Sequence, residues 1–376
     1  TGHKALFTNI TGKQNSAFGG FALQNNTGDD NTAIGYGALL GNTTGTQNTA
    51  SGVSALLRNT EGNFNTASGT NALTSNITGN NNTASGSSAL LSNTTGDNNT
   101  ASGSGALFSN TTGEKNTASG TNALNSNTTG TQNTASGYQA LFSNTSGNNT
   151  ASGFQALFNN TTGFSNTASG YRALYTNTTG YNNTAIGVGA DVASGDFTNA
   201  TAIGYQAKVN ASNKVRIGST SVTVIEGQVP FTTSSDARLK EDIATIENGL
   251  AFIKDLNPVS YHRINSSSDD IEMGLLAQEV QETLAAHGLS KSGMVHHANE
   301  DAYRSVRYND LLAPMIRAIQ ELDDQHNVAI TLKDEQIASL QEQLTEQQGS
   351  LLSMIAAQQE QITQLQSMVN QQYATR

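Results

Sequence analysis

The sequence predicts a β-solenoid of short stacked coils, then a small α+β domain, then a C-terminal coiled coil. Three observations point there. The first part repeats with a fixed period of 17 residues, the mark of stacked repeat units. All but five of the 37 Gly precede residue 229, while all three Pro lie beyond it. From Ile316 onward, apolar residues fall at heptad spacing.

The solenoid comes first. "NTASGTNALTSNITGNN" (65–81) is followed by "NTASGSSALLSNTTGDN" (82–98) and "NTASGSGALFSNTTGEK" (99–115). The Asn opening each unit falls at 15, 31, 48, 65, 82, 99, 116, 133, 149, 166 and 183, a step of 17 with two steps of 16. A degenerate copy, "ATAIGYQAKV", follows at 200–209. Such a unit is too short and too rich in Gly, Thr and Asn for a helical hairpin. It suits one coil of short strand, Gly turn, short strand and Asn-Thr-Gly turn. The Ala of N-x-A and the recurring Leu (Leu39 to Leu174) are expected inside, and the variable residue after each Leu outside.

That core is thin. One buried Leu contributes roughly 2 kcal/mol, against about 1 kcal/mol or more for ordering each residue of its coil. Pairing with neighbouring coils, ladders of stacked Asn and Thr, and packing of several chains together are expected to supply the rest. At about 4.8 Å per coil, the array forms a rod on the order of 50 Å long. The repeated N-x-[ST], as in Asn42-Thr43-Thr44, matches a glycosylation sequon but is read as a structural turn. The glycines form no phosphate loop, because no Lys-Ser/Thr follows them.

Charge divides the chain. Residues 1–230 carry 8 basic and 8 acidic side chains; residues 231–376 carry 10 and 21. Neither part has the clustered Lys and Arg that a nucleic-acid backbone requires, so nucleic acid is not an expected partner. No apolar run is long enough to span a bilayer as a helix, and membrane insertion is not expected. The chain has no Cys, hence no disulfide and no thiolate site. It opens at Thr1 with neither Met nor a signal-peptide pattern, and its end, "NQQYATR", lacks the strand alternation of an outer-membrane anchor. A complete autotransporter is therefore not expected.

In the α+β part, Ile243, Ile246, Leu250, Ile253 and Leu256 predict a short helix, with a turn at Asn257-Pro258 and a strand after it. "EMGLLAQEVQETL" (272–284) predicts a strand or turn entering a helix, and residues 303–325 a strand entering a long one. In that helix Ile316, Ile319, Ile330, Ile337, Leu340, Leu344, Leu351 and Met354 occupy a and d positions. Past Gly349 the frame moves to Ile355, Ile362, Leu365 and Val369, a stutter. Ile at several a positions permits a parallel trimer. The alternative is a fold-back at Gln347-Gln348-Gly349-Ser350 into an antiparallel hairpin.

Two resemblances sharpen these expectations. "NTAIGYGAL" (31–39) and "ATAIGYQAKV" resemble the head repeats of trimeric autotransporter adhesins, and still more the N-T-A-x-G-x-x-A-L arrays of bacterial and phage fibres. The adhesin likeness implies a left-handed parallel β-roll assembled as a homotrimer. Ser235, Asp236, Arg238 and Lys240 match the S-D-x-R-x-K start of the self-cleaving intramolecular chaperone domain of endosialidase-type tail spikes and fibres. Gly274 to Val280, then Val306, Tyr308 and Leu311, match that family's later elements. The resemblance implies a Ser235 nucleophile, a Lys240 base and a cut between Ser234 and Ser235.

The expected boundaries are a β-roll shaft over 1–218, a connector over 219–234, a chaperone domain over 235–325 and a coiled coil over 326–376. Spacing alone says little about Ser235 and Lys240; an N-cap at Ser235 or Asp236 fits it equally. A Ser hydroxyl needs a base. Bringing a lysine from a pKa of about 10.4 to about 7 takes roughly 4 to 5 kcal/mol of differential desolvation, which burial against a neighbouring chain supplies. His296 and His297 with Glu300 and Asp301 are candidate metal ligands but read better as a polar loop, because no third ligand is spaced for it; no metal or cofactor is expected. The expected protein is a trimeric tail fibre on a virion, or an extracellular surface adhesin that keeps its C-terminal module, with a host receptor or glycan as external partner.

Overall fold

The computed structural model describes residues 1–229, 232–264, 269–297 and 303–374. It divides into two compact units, Thr1–Gln228 and Val229–Arg376.

The first unit is a parallel β-solenoid. Each coil contributes one three-residue strand, such as Thr66–Ser68, to a 13-stranded sheet. Pairing is in register from coil to coil: Thr66 faces Thr83, Ala67 faces Ala84 and Ser68 faces Ser85. Alternation places the Ala inside and its Thr and Ser neighbours outside. The chain then turns at Gly69, φ +135°, where an added Cβ would meet the carbonyl oxygen of Gly86 at 2.6 Å. Only glycine fits both the angle and the approach of the next coil.

The second strand expected in each coil is absent over most of the array. Asn71 and Leu73 there have φ of 58° and 51°, so the backbone steps through left-handed residues. Turn hydrogen bonds run from Ala72 N–H to Gly69 O and from Asn76 N–H to Leu73 O. Leu73 is nevertheless fully buried, and its N–H donates to Ala89 O of the next coil at 3.0 Å. Near the end of the array, Asp191 and Lys208 take the place of Leu. There the chain straightens into paired strands, Asp191–Val192 with Lys208–Val209; both Val are buried, and Asp191 is buried beside Val192. Val192 and Val209 stand at the position after Leu, that of Thr74, and β-branched Val favours the strand there.

Asparagine completes the core. Each full coil buries one Leu, two Ala and two Asn, for example Leu73, Ala67, Ala72, Asn76 and Asn82. The Nδ2 of Asn76 donates to Asn59 Oδ1 at 2.7 Å and to Gly79 O at 2.9 Å. The Oδ1 of Asn65 accepts from Asn82 N–H at 3.0 Å, and its Nδ2 donates to Gly79 O at 2.8 Å. Among the described residues every buried side-chain polar atom has a partner. The expected ladders are therefore formed by Asn running through the interior, and the sequon Asn42 lies buried within one of them.

Among the described residues, the second unit packs three α-helices and two small antiparallel sheets. Helix α1 (Gly249–Asp255) is followed by the strand Val259–Tyr261, paired with Glu272–Gly274. Then come α2 (Ala277–Ala286), the pair Val295–His296 with Ser305–Val306, and α3 (Leu312–Ala374). Phe252, Val280, Leu284, Met294 and Leu311 form its core. The expected helix through Ile243 and Ile246 is shorter than its apolar pattern: both are exposed and α1 starts only at Gly249. Asn248, φ 58°, breaks the helix ahead of that point, and Glu321 of α3 accepts from Gly249 N–H at 3.2 Å and Leu250 N–H at 2.7 Å. Helix α3 passes through Gly349 without interruption, so the fold-back is not formed. Its a and d side chains, among them Ile337, Leu340, Leu344 and Ile355, are exposed in the single chain.

Candidate functional site

The site begins where the second unit opens. Ser234 and Ser235 lie outside any regular element and are exposed. Asp236 then N-caps a short 3-10 turn, Ala237–Leu239, its carboxylate accepting from Arg238 N–H at 2.9 Å. The Arg238 guanidinium grips the same carboxylate, with Nη2 to Oδ2 at 2.6 Å. These bonds, the Arg238 side chain first, hold the Asp236 carboxyl below the usual range. Lys240 N–H closes the turn on Ala237 O at 3.1 Å.

The turn brings residue 240 back toward residue 235. Lys240 Nζ lies 2.7 Å from Ser235 Oγ, within hydrogen-bond reach. The two side chains picked out from the sequence are thus in contact, and the N-cap also exists, on Asp236. Both arrangements follow from one tight turn. Asp236 and Arg238 serve as its brace, a role visible in the sequence only as opposite charges two residues apart. Ser235 and Lys240 are both exposed in the single chain. In the single chain their contact is therefore open to solvent.

The other candidate cluster does not assemble in what is described. His296 ends a short strand, whereas Glu300 and Asp301 lie outside the described residues. Among the described residues no group of three or more His, Asp or Glu side chains is placed to hold a metal ion. None of their helices is long and apolar enough to cross a membrane.

Residues 235–289 match a protein family described as chaperone of endosialidase. The match opens on Ser235 itself. No curated protein matches the chain. A parallel solenoid followed by such a domain and a long C-terminal helix is the organisation of a phage tail-fibre type protein with a C-terminal chaperone.

Proposed function

From a chaperone-of-endosialidase domain that starts at Ser235, we propose that the chain is a trimeric fibre whose C-terminal part aligns and folds the shaft and then cuts itself free before Ser235. The boundaries are the shaft over 1–218, the connector over 219–234, the chaperone domain over 235–325 and the coiled coil over 326–376. The 2.7 Å contact between Lys240 Nζ and Ser235 Oγ, at the first residues of the matched domain, carries the reading.

In the reaction, neutral Lys240 takes the proton of Ser235 Oγ, which attacks the carbonyl carbon of Ser234. The C–N bond breaks, the Ser235 amine leaves with the proton held by Lys240, and Ser234 is carried as an ester on Oγ. Water then hydrolyses the ester, leaving a carboxylate at Ser234. Assembly of three chains around α3 covers its exposed apolar seam and encloses Lys240. Cleavage then follows assembly. The shaft is the part left to meet a host receptor or glycan.

A second reading keeps the module attached as a trimerisation stalk on a surface adhesin. The exposure of both dyad residues favours it, because Asp236 explains the local turn without any chemistry. Intact mass of the purified chain decides. A break between Ser234 and Ser235 that is abolished in Ser235→Ala supports cleavage. An intact chain after assembly supports the stalk.

A further inference from the structure

One face of the shaft departs from the repeat. Between residues 133 and 183 the position after the strand glycine carries Tyr138, Phe154 and Tyr171, and the position after the buried Leu carries Phe142, Phe158 and Tyr175. In the four preceding coils the first of these positions is Thr70, Ser87, Ser104 and Thr121, with the same strand and the same buried Leu. The solenoid therefore does not need the rings.

The rings form two axial rows. Tyr138, Phe154 and Tyr171 follow one another at centroid distances of 5.2 and 5.3 Å, with planes 15° and 10° apart. Phe142, Phe158 and Tyr175 follow at 5.2 and 5.6 Å, with planes 11° and 10° apart. Carbon atoms in contact sit about 3.5–4.0 Å apart, so near-parallel rings at these centroid distances are displaced like shingles. Each leaves part of a face uncovered, and Tyr138, Phe154 and Tyr171 are 44%, 40% and 46% exposed. A polar ladder accompanies them. Gln155 Nε2 donates to Gln139 Oε1 at 2.9 Å, and Arg172 Nε donates to Gln155 Oε1 at 3.0 Å. The Arg172 guanidinium touches both rows, 5.4 Å from the centroid of Tyr171 and 5.1 Å from that of Tyr175.

We propose that this face binds an extended saccharide chain laid along the shaft. A pyranose ring has an apolar C–H face and a rim of hydroxyls. Partly uncovered aromatic faces take the first, and planar amide and guanidinium groups, whose donors and acceptors lie at fixed angles, take the second. The one-coil repeat of both features, about 4.8 Å along the axis, suits a polymer of like units. A second copy of the chain is the poorer occupant. Parallel rods touch along their whole length, whereas these rings occupy a short part of it. The inference rests on the fibre reading for the shaft being displayed to a surface; it does not depend on cleavage.

The test is saturation-transfer NMR on the full chain, with cellohexaose, chitohexaose and hexagalacturonate as probes and sedimentation of the same sample. Saturation of sugar ring protons is expected from at least one probe. Tyr138→Thr/Phe154→Thr/Tyr171→Thr, which restores the residue of Thr70 and Thr121, is expected to weaken that probe at least about tenfold with assembly unchanged. Arg172→Asn, which copies Asn71 and Asn122 in the same left-handed backbone, is expected to weaken it less. Silence from all three probes, or equal binding by the triple variant, overturns the proposal. A triple variant that falls apart into smaller species also overturns it and assigns the rings to contacts between copies. Binding by a chain that sediments as a monomer keeps this proposal and removes the trimeric fibre instead.

Discussion

Asn93 illustrates what one residue does in the shaft. Its Nδ2 donates to Asn76 Oδ1 at 2.8 Å and to Gly96 O at 3.0 Å, while its Oδ1 accepts from Asn110 Nδ2 at 2.7 Å. Asn93→Asp removes both donors and leaves a buried carboxylate beside two oxygens. A loss of about 3–5 kcal/mol is expected, read as a lower unfolding midpoint or lost SDS resistance. Asp191 differs, because it stands at a Leu position. Burial, above all, raises its pKa from the usual carboxylate value, against hydrogen bonds from Thr176 and Val192 that lower it. The folded chain then keeps a proton that the unfolded chain has released. Stability therefore falls as pH rises from the ordinary Asp range through the raised value. Asp191→Asn is expected to flatten that slope, measured as midpoint against pH. At the proposed site, Ser235→Ala and Lys240→Ala are each expected to abolish the break at Ser234–Ser235 while leaving assembly intact, read by mass and sedimentation. The serine and lysine were legible only through the S-D-x-R-x-K resemblance, because a five-residue offset by itself fits an ordinary capped turn equally well. The Asn ladder was expected, but not its place in the interior: Asn in a Gly-rich repeat reads as a turn residue, and its burial appears only when coils stack.

At the scale of elements, the sequence pattern located the repeat, its inward Ala and its inward Leu, but misassigned the backbone at Leu. Burial and strand usually go together; here Leu73 is buried in a left-handed turn, which costs roughly 1–2 kcal/mol and leaves no periodicity to detect. The start of α1 was misplaced for a related reason. Its apolar spacing continues upstream through Ile243 and Ile246, while its true start is set by a carboxylate far away in sequence. Glu321 receives the first two N–H groups of α1 and also binds Arg317 Nε at 3.0 Å. The Leu250 N–H, above all, holds the Glu321 carboxyl below its usual range. This clamp is present above the ordinary Glu value and is lost as pH falls through the lowered one. Glu321→Ala is expected to free the amides of residues 249–252 to exchange and to lower the midpoint of the second unit by a few degrees. Unchanged exchange there means that α1 is held by its apolar face alone, through Phe252.

For the whole molecule, the repeat that stabilises the shaft also endangers its assembly. Copies slipped by one period present Leu to Leu and Asn to Asn again, so the repeated core does not penalise the error. In the proposed trimer the C-terminal module fixes one end, and the coils then close in order from that end. Once closed, the bonds between coils make opening slow. A shaft of 1–234 released from the full chain is therefore expected to form an SDS-resistant trimer, and the same segment expressed alone to misassemble. Equal yields of that trimer from both routes would reduce the C-terminal module to an anchor.

The reach of the internal Asn bonds has a further consequence. Asn76 bonds back by one period to Asn59, and Asn82 likewise to Asn65, never further. The coil is thus an interchangeable part, and a gene can add or drop whole periods without reopening the interior. Even a missing residue is absorbed: across the 16-residue step, Asn149 N–H still reaches Asn133 Oδ1 at 3.0 Å, and Ser146 O replaces a Gly carbonyl as acceptor for Asn133. Such a rod is a ruler graduated in steps of about 4.8 Å, so the distance it spans is open to selection while its cross-section stays fixed.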